Sequence, residues 1–178
     1  EIAWNKAGII KENVPVFIYP QVKEAFDVIL KEANEKNSRI YKFDFDEIKI
    51  KTQNYNYNEF DFRNYKNIKT SLIGKVQIYN ACNAINFLDY FKEEFFFDEN
   101  IIKEGIFESK NSGRMELISK NPKVLIDGSH NKESIDALIK SLKLFKYNRL
   151  IVGFSVLKDK DYDYIIENLS SVADEIII

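Results

Sequence analysis

The chain is 178 residues long, 45% hydrophobic and 14% aromatic, enough apolar material for one sizeable core or two modest ones. Its 26 basic and 28 acidic residues leave a formal net charge of -2, which excludes a whole-molecule pull toward nucleic acid or an anionic membrane, so any anion must be bound locally. A single cysteine, Cys82, excludes an internal disulfide, a single histidine beside it excludes a structural zinc site, and no apolar run reaches the roughly 18 residues of a membrane span.

The chain opens on Glu1 and holds one methionine, Met115, and it closes on the strand-like run Glu175-Ile176-Ile177-Ile178. Both ends are expected to be internal to something longer. Near the front, Ile2-Ala3-Trp4-Asn5-Lys6-Ala7-Gly8-Ile9-Ile10 sets a lysine among small and apolar neighbours. A lysine partly desolvated there loses its proton more readily, and the neutral amine can take up carbon dioxide as a carbamate, an oxygen ligand for a hard metal. A snorkelling structural lysine is the other reading.

Val14 and Val16 to Tyr19 predict a short strand closed by Pro20. Val22, Ala25, Phe26, Ile29, Leu30 and Ala33 then keep helical spacing, and Arg39 to Tyr41 predicts a second strand. Strand, helix, strand is the unit of a parallel sheet. From Phe43 to Ile73 aromatic and β-branched residues alternate with polar ones, which predicts antiparallel hairpins. An aromatic platform for single-stranded nucleic acid needs a basic groove, and Asp44, Asp46, Glu47, Glu59 and Asp61 argue against one.

Gly74 breaks that pattern. The helix after it carries Ile78, Ala81, Cys82, Ile85 and Leu88 on one face, with Gln77 and Asn80 in its first turns, where amides can read an adenine edge or simply cap the helix. Cys82 reads as a buried, reduced thiol. Asp98 is placed to cap a short helix bearing Ile101, Ile102 and Ile106. Polarity rises around Ser109 to Gly113, where a domain boundary is expected, dividing the chain into 1–110 and 111–178. Beyond it a β-like stretch opens at Glu116. Val124 to Ile126, Leu150 to Phe154 and Glu175 to Ile178 then read as strands, separated by helices over Glu133 to Phe145 and Asp161 to Val172. That alternation is the grammar of a doubly wound sheet, with ligands at the carboxyl ends of its strands.

The strand at Val124 to Ile126 delivers Asp127, Gly128, Ser129, His130 and Asn131 to that edge. Gly128 lets the backbone turn, Asp127 can accept from a ribose, and His130 can stack on a base or donate to a phosphate; equally, Ser129 or Asn131 can cap the next helix and leave His130 exposed. Arg114, thirteen positions before Asp127, is the residue type that clamps phosphate. There is no G-x-x-x-x-G-K-[ST], no G-x-G-x-x-G and no nucleophile elbow.

Five stretches in order, "IAWNKAGII", "GKVQIYNA", "GRME", "DGSHN" and "LKDKD", resemble the folylpolyglutamate synthase/dihydrofolate synthase family of the Mur ligase superfamily. The resemblance implies an α/β fold: residues 1–110 as the carboxyl-terminal part of a central ATP-binding domain, and residues 111–178 as the start of a Rossmann-like, doubly wound carboxyl-terminal domain. It implies an ATP- and magnesium-dependent ligase of folate biosynthesis. The enzyme joins L-glutamate to a dihydropteroate or reduced folate carboxylate through an acyl phosphate, as a cytoplasmic monomer with no nucleic acid or membrane partner.

It also implies roles: Lys6 as the carbamylated lysine that organises magnesium, with the other metal ligands outside this chain; Asn80 as an ATP contact; Arg114 on the nucleotide phosphates; Asp127 on the ribose side; His130 in the same loop. The phosphate-binding loop of the family is not in this chain, so glutamate-dependent phosphate release is not expected from the 178 residues alone. Asn5, Val76 and Lys132 depart from the family's usual Glu, His and Pro. A cell-wall peptide ligase of the same superfamily and a non-catalytic nucleotide-binding module are the alternative readings.

Overall fold

A computed structural model describes residues 2–96 and 98–178. The chain starts with helix α1 (Ile2–Ala7) and strand β1 (Val16–Ile18), followed by helix α2 (Lys23–Glu35) and strand β2 (Ile40–Lys42), which lies parallel to β1. The apolar spacing read over Val22 to Ala33 places Ala33 inward, where it packs against Ala7 and Ile10. The strand-helix-strand unit expected from the sequence, with its two strands parallel, is therefore present.

A 3₁₀ turn at Phe45–Glu47 leads into three antiparallel strands, β3 (Ile48–Gln53), β4 (Asn58–Phe62) and β5 (Tyr65–Thr70). Their period-two pattern buries Phe60, Phe62 and Ile68 against helix α3 (Lys75–Tyr90), whose inward face is Ile78, Ala81, Cys82 and Ile85. Cys82 is free and fully buried, and that burial pushes its thiol pKa up to about 12, so it remains a protonated apolar filler. Helix α4 (Lys92–Phe95) is short, and α5 (Glu99–Glu108) follows. The Asp98 carboxylate accepts from the Asn100 N–H at 2.7 Å and caps α5 as expected. Ile102 and Ile106 join the core, whereas Ile101 turns outward.

Glu47 receives a 2.6 Å hydrogen bond from Arg63 Nε, which holds its carboxyl below the ordinary value near 4.5 against the opposing effect of burial. A lowered folded pKa contributes stability that is complete above the unfolded value and drains away as pH falls through the folded one. Urea midpoints measured at pH 7 and pH 3 are expected to drop for the wild type. The drop is expected to be smaller for Glu47→Gln, which has no such proton to bind.

The last third holds strands β6 (Glu116–Lys120) and β7 (Lys123–Ile126), helix α6 (Lys132–Leu142), strand β8 (Ile151–Gly153), helix α7 (Tyr162–Ser170) and strand β9 (Glu175–Ile177). The alternation is the one the sequence predicts, with one difference of register. Val124 to Ile126 pairs antiparallel with β6, while β8 pairs parallel with β9, and the two pairs share no hydrogen-bonded edge among the described residues. Asn121 and Pro122 form the tight turn that folds β7 back on β6. Ile135, Ile165 and Leu169 of the two helices form the core beneath, with Val152 and Ile176 of the strands against it.

The two halves of the chain touch where α3 meets α6. Gly74, at the start of α3, lies against Ser141 near the end of α6, and the Tyr55 and Phe145 rings sit 5.7 Å apart.

Candidate functional site

Residues 113 to 131 close into one loop cluster at the mouth of the β6/β7 hairpin. Gly113 has φ +72° and Met115 φ +47°, so the chain makes two left-handed steps around Arg114, and the Met115 side chain turns inward and is buried. A left-handed non-glycine residue stays there only when its surroundings hold it. Three contacts hold it. The Gly128 N–H donates to the Gly113 carbonyl at 2.7 Å, the Gly113 N–H donates to Glu116 Oε2 at 2.7 Å, and the Met115 N–H donates to Asp127 Oδ2 at 2.8 Å.

Asp127 uses its other oxygen as well, accepting from the Ser129 N–H at 2.9 Å. Its carboxylate thus ties the Arg114 turn to the loop that follows β7. A carboxylate has roughly four acceptor positions, so two are left for another donor.

Gly128 is the hub of the cluster. Its carbonyl accepts from Arg114 Nη1 at 3.3 Å and from His130 Nδ1 at 2.8 Å. A carbonyl cannot donate, so Nδ1 carries the proton and Nε2 faces outward. Two exposed side chains able to carry positive charge are thereby aimed side by side at one edge of the fold. Asp159, in the loop after β8, also lies near His130: its carboxyl is held low first by a 2.6 Å hydrogen bond from Lys160 and, more weakly, by His130. The "LKDKD" stretch therefore comes to the same edge.

The start of α6 is closed by its own side chains. Asn131 Oδ1 accepts from the Ser134 N–H at 2.9 Å, and Ser134 Oγ accepts from the backbone N–H groups of both Asn131 and His130. The capping role weighed for Asn131 is the one it takes, and Ser134, three residues on, is its counterpart that sequence reasoning passed over. Lys132, where the family favours proline, lies over the Tyr164 ring at 4.4 Å. Tyr164 in turn donates to Asp136, which pushes its phenol up to about 12.

Other expected site residues stand apart. Asn80 is exposed on α3 and donates to Gln77 Oε1 at 3.1 Å; Gln77 is buried, and Val76 is exposed. Lys6 is exposed on α1, which corrects the expectation of a partly desolvated lysine. The helix turns Ala7 into the core, with Ile10 just beyond its end, so Trp4, Asn5, Lys6 and Ile9 are left outside. Among the described residues no hydrogen bond or ion pair joins Lys6 or Asn80 to the Gly128 cluster. The contact between halves at Ser141 lies about 15 Å along α6 from that cluster, taking 1.5 Å per residue from Asn131.

Among the described residues no three histidine, cysteine, aspartate or glutamate side chains gather as a metal site, and no helix is long and apolar enough to cross a membrane.

Comparison with known proteins gives a consistent result. Residues 113–178 match the family described as Mur ligase, glutamate ligase domain. The chain is 34% identical over 185 residues to the dihydrofolate synthase/folylpolyglutamate synthase of Bacillus subtilis (strain 168), covering 99% of this chain and 43% of that protein. It is similar to a solved FPGS-AMPPCP-folate complex with TM-score 0.83 and 26% identity, covering 98% of this chain and 44% of the other. It is likewise similar to Mycobacterium tuberculosis folylpolyglutamate synthase complexed with ADP and AMPPCP, with TM-score 0.81, 26% identity and coverage of 98% and 42%. The chain thus spans less than half the length of these relatives.

Proposed function

We infer that this chain, which belongs to the folylpolyglutamate synthase/dihydrofolate synthase family of the Mur ligase superfamily, forms part of an ATP-dependent ligase that joins L-glutamate to a pteroate or folate carboxylate. The observation that carries this reading is the Gly128 carbonyl, which draws Arg114 and His130 together at the carboxyl end of β7. Two adjacent cation-capable groups over a fixed backbone suit the phosphates of a nucleotide. Asp127 anchors the turn beneath them and offers its remaining acceptor positions to a ribose hydroxyl. Asn80, bonded to Gln77 in the other half of the chain, stands apart from this cluster and is given no contact to the nucleotide.

ATP supplies the phosphoryl group that makes a carboxylate electrophilic enough, as an acyl phosphate, to take the glutamate amine. For this chain's own residues the task is to bind and orient that nucleotide. Magnesium is a different matter. The amine of Lys6 is exposed and would hold magnesium only as a carbamate together with ligands from outside this chain, and no step is routed through the ion.

Titration calorimetry of the chain with ADP tests the reading. Binding is expected for the wild type and about tenfold weaker for Arg114→Ala, the loss of roughly one charge-assisted hydrogen bond. Affinity unchanged by that substitution overturns the placement of the phosphates. In the complete enzyme, phosphate release from ATP is expected to require L-glutamate together with dihydropteroate or tetrahydrofolate; dependence on a nucleotide-linked muramyl peptide instead points to a cell-wall ligase.

A further inference from the structure

A cavity of about 140 Å³ lies in the first half of the chain, where the turn between β4 and β5 meets the end of α3 and the start of α5. It is lined by Arg63, Asn64, Tyr65, Asp89, Lys92 and Glu99. Charges of both signs converge on it.

The fold fixes Arg63 without help from a ligand. Its Nε donates to Glu47 at 2.6 Å, its Nη1 donates to Asn86 Oδ1 at 3.0 Å, and its guanidinium lies 4.9 Å from the centre of the Phe62 ring. A guanidinium has five N–H groups, so roughly three remain to be given. The chain sets this arginine at φ +50° in the turn between Phe62 and Tyr65, a kind of position that glycine, asparagine or aspartate usually fills.

Tyr65 is buried, and its hydroxyl donates to Asp89 Oδ1. Burial, reinforced by that bond, pushes the phenol well above its ordinary value, so the hydroxyl remains a donor and the second Asp89 oxygen is left open. Asp89 and Lys92 are three residues apart, the spacing at which a continuous helix brings side chains together. The helix breaks between them: α3 ends at Tyr90 and α4 begins at Lys92. Among the described residues no ion pair joins the two, and neither has another ionic partner, whereas Arg63 is paired with Glu47 and Glu99 with Lys103. One carboxylate and one ammonium on the same cavity are left uncompensated.

We propose that this cavity binds the head group of a free α-amino acid, with the ligand's ammonium on Asp89 and Glu99 and its carboxylate on Lys92 and Arg63. The size agrees. Water takes about 30 Å³ per molecule in the liquid, so the cavity has room for roughly five non-hydrogen atoms, and the head group consists of N, Cα, C and two oxygens. A simple anion would satisfy the cations but stand against the like charge of Asp89, and a metal cation would meet Lys92 and Arg63 in the same way. A ligand with both signs on adjacent groups satisfies all four. Asn64, Lys92 and Glu99 are exposed, so the mouth lies on their side and leaves the amino acid's own side chain in solvent. The nucleotide reading of the Gly128 cluster plays no part in this assignment.

The test is a titration of the isotope-labelled chain with glycine and, separately, with L-glutamate, followed through its amide resonances. Saturable shifts at Asn64, Tyr65 and Lys92 are expected with both, half-complete on the order of 1 mM, the range open to so small a contact. Acetate and methylamine each carry half of the head group and are expected to need about tenfold more. Asp89→Asn keeps an acceptor for Tyr65 but removes the charge, and Lys92→Gln alters an exposed side chain. Each is expected to weaken glycine binding about tenfold while shifts far from the cavity stay unchanged. Three outcomes overturn the proposal: acetate moving these amides as readily as glycine, which marks a plain anion site; shifts that are absent or never saturate; or glycine affinity untouched by both substitutions. None of these outcomes bears on ADP binding at the Gly128 cluster.

Discussion

Asp127→Ala is expected to cost the chain roughly 3 kcal/mol, since it removes two hydrogen bonds to an ionised acceptor at about 1.5 kcal/mol or more each. The geometry says where the loss falls. One bond holds the Met115 N–H in a turn with φ +47°, the other holds the Ser129 N–H beside the Gly128 hub. Without the carboxylate the one hydrogen bond made by the Met115 N–H itself is gone and only the two contacts of Gly113 still hold the turn, so the buried Met115 side chain and the Arg114 turn loosen together.

Urea unfolding should show the lower midpoint, and amide exchange at Met115 and Ser129 should speed up. Nucleotide affinity should fall further than in Arg114→Ala, because the turn that presents Arg114 is lost as well as any ribose contact. Asp127→Asn should lie between: it keeps one carbonyl acceptor but sets an amide N–H₂ against one of the two backbone donors. If Asp127 served a ribose alone, affinity would fall while midpoint and exchange stayed where they are.

Gly74→Ala is the second large effect, expected at about 2–3 kcal/mol and a fall in melting temperature of roughly 4–12 °C for a chain of this size. Gly74 has φ +97° and ψ 155°, a region that only glycine occupies freely. A Cβ placed there would also stand 2.7 Å from Ser141 Oγ of α6. The conformation is imposed from below: Asn58, fully buried, donates from Nδ2 to the Leu72 carbonyl at 2.6 Å and to that of Gly74 at 3.4 Å, which fixes the exit from β5. Alanine therefore meets both a backbone penalty and a collision at the joint between the halves.

The two parts can be separated. Ser141→Ala removes the hydroxyl and relieves the collision without touching φ, so the double variant should be more stable than the sum of the single losses. Simple additivity would place the whole cost in the backbone. Because α6 carries the Asn131 cap at its other end, displacement at Ser141 should also reach the Gly128 cluster and weaken ADP binding.

Much of this was legible in the sequence, because local periodicity reports which face of an element is buried. Alternation over Ile48 to Ile68 gave the antiparallel strands, and Ile78, Ala81, Cys82 and Ile85 gave the inner face of α3. Asp98 and Asn131 announced their caps, and Asp127 to Asn131 could be named from their place after a strand. Each of these signals is carried by residues a few positions apart.

Partnership across long loops is different, since it depends on how elements close on one another. Only the fold shows Asp127 spending both oxygens on Met115 and Ser129, or Arg114 and His130 meeting at one carbonyl. The fold alone turns Lys6 outward despite its apolar neighbours and pairs β7 with β6 rather than with β8. Sequence pattern fixes which groups are available; the path of the backbone decides which of them meet.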